Sequence, residues 1–121
     1  MANFKSAILM TGSATTASGQ DVELIAPIDV KNEDRISFQF YNPNGTAGHI
    51  DTIKVYGRLA ATSGTLGAAA EWTQIGDDVV VSGSSSALKS ISTTGLMWVG
   101  ATISGTTTFG AGHTYALLRQ A

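Results

Sequence analysis

The chain has 121 residues, of which 43% are hydrophobic and only 13% charged, with a net charge of -2 and no cysteine. That length fits one ordinary domain and is too short for two comfortable cores. The seven basic residues are scattered, which leaves no electrostatic footprint for nucleic acid or an anionic membrane, and the lack of thiols excludes disulfides, zinc-thiolate sites and thiol nucleophiles.

Gly, Ser and Thr fill the charge deficit, giving a neutral, hydroxyl-rich surface that tolerates close assembly. The opening Met1-Ala2-Asn3-Phe4-Lys5 has no basic segment leading into a long apolar core. No apolar run reaches membrane-spanning length. The expected product is therefore made and used without Sec export.

Residues 4–10 are a short apolar run that predicts a first strand. Residues 11–19 are Gly, Ser, Thr and Ala without an apolar period and read as a surface loop or arm. The expected division is an N-terminal strand and arm over 1–19 and a β-sandwich domain over 20–121. Val22 and Leu24 alternate with Asp21 and Glu23 in a strand that Pro27 interrupts or places at an edge, with Ile28 and Val30 continuing it.

The clearest pattern follows. In Arg35-Ile36-Ser37-Phe38-Gln39-Phe40-Tyr41, Ile36, Phe38 and Phe40 fall on one face, the period of two that a half-buried strand requires. Asn42-Pro43-Asn44-Gly45 turns the chain, and Ile53 and Val55 then alternate with Thr52, Lys54 and Tyr56. The pair predicts a long antiparallel hairpin at the centre of a sheet. Residues 58–71 lack strand alternation and predict a long loop, of a length that is commonly functional.

Trp72-Thr73-Gln74-Ile75-Gly76 resumes extended structure, Asp77-Asp78 punctuates it, and Val79-Val80-Val81 is a β-branched run. Residues 87–92 form a strand of ambiguous face. Residues 96–103 are apolar on both faces, which predicts a strand covered on both sides. Residues 104–112 are a hydroxyl and glycine loop around Phe109, and 113–118 a last strand. About eight short strands with turns every 8 to 12 residues and no long helix predict an all-β fold: one antiparallel β-sandwich or jelly-roll-like domain with long Gly/Ser/Thr loops.

No catalytic signature emerges. His49 and His113 have only Asp51 as a local carboxylate, too few ligands for a metal, and Asp77-Asp78 lacks the flanking residues of a calcium loop. Asp21, Glu23, Asp29, Glu33 and Asp34 read as a solvated rim from which nothing selects a glycosidase pair. No serine sits in Gly-x-Ser-x-Gly, and no glycine loop ends in Gly-Lys-Ser/Thr. Trp72 and Trp98 are assigned to packing in preference to sugar stacking. No cofactor, metal or enzymatic activity is expected.

Asp34-Arg35-Ile36-Ser37-Phe38, Tyr41-Asn42, Ile53-Lys54-Val55-Tyr56-Gly57 and Trp72-Thr73-Gln74-Ile75-Gly76 resemble, in that order, small β-sandwich virion proteins of tailed phages and prophages. The resemblance spans residues 30–92. Arg58 stands where the pattern has Ser, and residues 60–71 replace its short Asp-Gly turn. Among such proteins, head decoration or cement proteins fit the size, charge and lack of cysteine. The resemblance implies a homotrimer that binds the major capsid protein on the outer surface of the virion. Contacts would come from the arm and the long loops: Phe4, Ile8, Met10, Arg58, Leu59, Leu66 and Phe109. The alternative is a tail-fibre or baseplate module that binds host glycan through Trp72, Tyr56 and Tyr41.

Overall fold

The computed structural model describes residues 8–14, 21–30, 34–42, 50–60, 64, 66, 71–105 and 114–120, with 8–14 and 114–120 described as backbone. All regular structure in them is antiparallel strand: β1 (Ile8–Ala14), β2 (Val22–Asp29), β3 (Arg35–Asn42), β4 (Ile50–Arg58), β5 (Thr73–Gln74), β6 (Val79–Ser82), β7 (Ser85–Ser92), β8 (Trp98–Gly105) and β9 (Thr114–Gln120). One sheet has the order β1-β9-β3-β7, and the other β2-β8-β4-β5, with β6 also paired to β4.

Strands β5 and β6 lie end to end on one edge of β4: Gly57 faces Thr73 and Tyr56 faces Gln74, while Ile53 faces Val79 and Ile50 faces Ser82. Between Gln74 and Val79 the chain spends two more residues than β4 does, so this is a single strand broken by a bulge. Counted that way, eight strands form two four-stranded sheets, and every connection except β4 to β5 crosses from one sheet to the other. That is the order of a jelly roll.

The expected β3–β4 hairpin does not form. β3 pairs with β7 and β9, and β4 with β8, β5 and β6, so the two strands belong to opposite sheets. Their alternation is as expected, with Ile36, Phe38 and Phe40 buried from one side and Ile53 and Val55 from the other. Alternation says which face is dry and is silent about which strand lies alongside. The connection, positions 43–49, is long enough to cross the roughly 10 Å between packed sheets, and a tight two-residue turn is not.

The core joins these residues to Leu24, Ile25, Val30, Val81, Ile91, Val99, Ala101 and Ile103. Phe38 and Phe40 stack along the strand, with centroids 5.5 Å apart and planes 10° from parallel. Polar side chains are buried as well, among them Asn42 and Asp51. Asn42 donates from Nδ2 to the Val81 carbonyl at 3.2 Å, tying the end of β3 to the opposite sheet. Asp51, fully buried on β4, is also partnered.

One further expectation needs correction, and two that were left open are resolved. Thr11, Gly12, Ser13 and Ala14 belong to β1 and pair with β9, so the loop or arm expected over 11–19 is partly a sheet strand; residues 15–19 lie outside the described set. Ladder hydrogen bonds on a sheet edge do not require an apolar period. Strand β2 runs through Pro27 without ending there. An edge strand tolerates proline, and register shifts on both sides of Ile25 absorb the irregularity. In β7, Ile91 and Lys89 share the inner side, and Leu88 points outward at 78% exposure.

Phe40→Ala should lower stability by about 3–5 kcal/mol, whereas Gln39→Ala, on the outer face of the same strand, should change it by less than about 0.5 kcal/mol. Urea unfolding of the two variants beside the parent tests the assigned faces.

Candidate functional site

Strand β8 has almost no wet side: Val99, Ala101 and Ile103 pack inward, and Gly100 and Thr102, on the outer face, are buried as well. Residues from the 59–71 segment cover that outer face. An added Cβ at Gly100 would lie 3.2 Å from Leu66 Cδ2 and 3.2 Å from the Ile25 carbonyl oxygen, so glycine is what lets Leu66 close down on the sheet. Trp98 donates its indole N–H to the Ala60 carbonyl at 3.1 Å. At the other end, Arg58 Nη1 bonds Glu71 Oε2 at 2.8 Å, and its guanidinium carbon lies 5.8 Å from the Trp72 ring centre. Glu71 is half exposed, so the ion pair positions the segment more than it stabilises it.

Beside this cover lies a recess of about 320 Å³ lined by Asp21, Val22, Glu23, Tyr56, Leu66, Trp72 and Thr102. Sheet register explains the gathering. Glu23 pairs with Thr102, and Thr102 with Lys54, so one cross-strand row places a carboxylate, a hydroxyl and an ammonium group side by side. Tyr56, two positions further along β4, supplies one wall and Trp72 another. Asp21 and Glu23 are exposed at the rim, while Thr102 is only 8% exposed and its Oγ1 has no hydrogen-bond partner among the described residues.

Five of the residues singled out for subunit contact, Ile8, Met10, Arg58, Leu59 and Leu66, are among the described residues. Phe4 and Phe109 lie outside the described residues. Ile8 and Met10 are in β1, next to β9. Arg58 and Leu66 turn back onto their own sheet, and Leu59 stands 72% exposed beside them. Of the three aromatic residues considered for glycan contact, Tyr56 and Trp72 share the recess, with Trp72 just 6% exposed. Tyr41 is on β3, in the other sheet. His49 and His113 lie outside the described residues, among which no three His, Cys, Asp or Glu side chains cluster to hold a metal. Asp78 accepts a 2.7 Å bond from Gln74 Nε2 within the β5–β6 bulge.

Sequence comparison finds no matching protein-family model and no matching curated protein. Solved structures do share the fold. Tripeptidyl peptidase 2 aligns over 89% of this chain with a TM-score of 0.56 and 13% identity, but the chain spans only 9% of the peptidase. The structure described as Bacillus endospore appendages forming a family of disulfide-linked pili aligns over 100% of this chain and 94% of its own, with a TM-score of 0.51 and 17% identity. Both likenesses are of fold alone.

Arg58→Ala should loosen the hold of β4 on Glu71 and Trp72. Amide hydrogen exchange at Glu71 and Trp72 should accelerate by about tenfold or more with little change at Phe38 or Ile53, and global stability should fall by about 1–2 kcal/mol.

Proposed function

We propose that the chain is a structural virion protein that coats the outside of a phage capsid, binds the major capsid protein and stabilises the shell, as a homotrimer. The observation that carries this reading is the outer face of the β1-β9-β3-β7 sheet. Across β3 and β7 it presents Arg35, Ser37, Gln39, Ser86, Ser90 and Ser92 around the exposed Leu88, with Arg119 of β9 at the register position opposite Ser37. Such a surface desolvates at low cost, and Leu88 supplies an apolar anchor for a neighbour. Leu59 at 72% and Val80 at 58% exposure offer further anchors.

The sequence resemblance to decoration proteins points the same way. So does the fold shared with the endospore appendages, which are described as forming a family of disulfide-linked pili. Those pili are described as disulfide-linked, whereas this chain has no cysteine, so its assembly would rest on packing and hydrogen bonds. That places the energetic load on apolar anchors and on shape.

The test is to mix purified protein with expanded, undecorated capsids and to count bound copies by sedimentation. Saturation in a ratio fixed by capsid symmetry, with a raised capsid disruption temperature, is the expected result. Leu88→Asp should reduce occupancy by about tenfold or more, the penalty of placing a charge in an apolar contact. Deleting residues 1–7 tests the arm without removing β1, which deletion of 1–19 would do. Failure of the parent protein to bind heads would overturn the proposal.

A further inference from the structure

We propose that the recess between Leu66, Trp72 and the outer face of the second sheet binds one neutral pyranose unit of a sugar, a function separate from shell binding. Its volume of about 320 Å³ lies at the small end of ligand pockets, which run from about 300 to 1,000 Å³. Tyr56, Trp72, Leu66 and Val22 give it apolar walls suited to the C–H face of a sugar ring. Asp21 and Glu23 at the rim supply carboxylate oxygens that accept hydrogen bonds from ring hydroxyls.

Thr102 is the second, independent sign of a ligand. Its hydroxyl is buried, lines the recess and lacks a hydrogen-bond partner among the described residues. A buried hydroxyl left unpaired costs stability, and native structures seldom keep one without a use. A sugar hydroxyl can both donate to it and accept from it.

Local charge selects a neutral ligand over a cation. Two carboxylates beside aromatic rings would otherwise suit an amine. Here the Arg58 guanidinium already occupies the neighbourhood of the Trp72 ring, 5.8 Å from its centre, and is paired with Glu71. Lys54 stands next to Thr102 on β4. Lys54 and Arg58 thus flank Tyr56 on the outer face of one strand, beside the recess, where their positive charge disfavours a second cation nearby. A polyol satisfies the carboxylates without adding charge.

The experiment is an amide chemical-shift titration of the full chain with glucose, galactose and mannose, each also as its methyl glycoside. At least one sugar should saturate with a Kd of about 1 mM and shift the amides of residues 21–23, 56 and 102. Thr102→Val and Glu23→Gln should each weaken it by about tenfold, and Leu88→Asp should leave it unchanged. Thr102→Val should also raise the melting temperature of the unliganded protein, because it removes the unpaired hydroxyl. Equal binding of the glycoside assigns the site to a residue within a glycan, and loss on methylation assigns it to a free monosaccharide. No saturable shift with any sugar, affinity unchanged in both recess variants, or saturation by methylammonium but by no sugar would each overturn the proposal.

Discussion

Burial of β8 on both faces is the constraint on which the rest of the arrangement depends. Its inner side chains, Val99, Ala101 and Ile103, complete the core between the sheets. Its outer side chains need a second cover, which a two-layer sandwich does not by itself provide. The chain meets that need with Leu66 over Gly100 and the Trp98 bond to Ala60. The recess is the margin of this third layer, where cover gives way to the exposed carboxylates of β2. Remove the cover and Thr102 becomes a hydroxyl on a wet sheet face, with nothing to mark it.

The open flank of the sandwich is managed by different means. Strands β7 and β5–β6 both leave an edge unpaired, and exposed edges invite further strands. Gly76 adopts a φ of +72° inside the β5–β6 bulge, a conformation that glycine reaches without strain. Lys89 projects inward from β7 and donates to the Asp77 carbonyl at 2.9 Å. The bulge twists one edge away and the inward ammonium group blocks the other, so association on this flank falls to side-chain faces such as that around Leu88.

The sequence carried the dry faces of the strands well and their partners poorly. Ile36, Phe38 and Phe40 announced an inner face because a period of two is local information, and the double-sided apolarity of 96–103 announced two covers. Pairing is non-local: nothing in residues 35–56 distinguishes a hairpin from two strands placed on opposite sheets. The recess was harder still. Glu23, Thr102 and Lys54 form a row only through the registers of two ladders, and Asp21 and Glu23 alone read as an ordinary solvated rim. A usable clue was the lone threonine on the outer side of a strand otherwise closed to water.

The alternation of successive strands between sheets has a further consequence for how the protein comes into being. Among the described residues β1 pairs in its sheet with β9 alone, and β3 has β9 on one side, so the first sheet lacks its second strand until residues 114–120 exist. The second sheet waits for β8 in the same way, since β8 joins β2 to β4. Almost every ladder spans a long stretch of chain, a topology that folds slowly because distant segments must be brought together before any pairing rewards them. At translation speeds of about 5–20 residues per second, the apolar faces of β2, β3 and β4 wait several seconds for the strands that close over them. The links between them, with Lys31-Asn32-Glu33-Asp34 before β3 and Pro43-Asn44-Gly45 after it, put charge and turn residues beside those waiting faces, the kind of flanking sequence that opposes aggregation of an exposed strand.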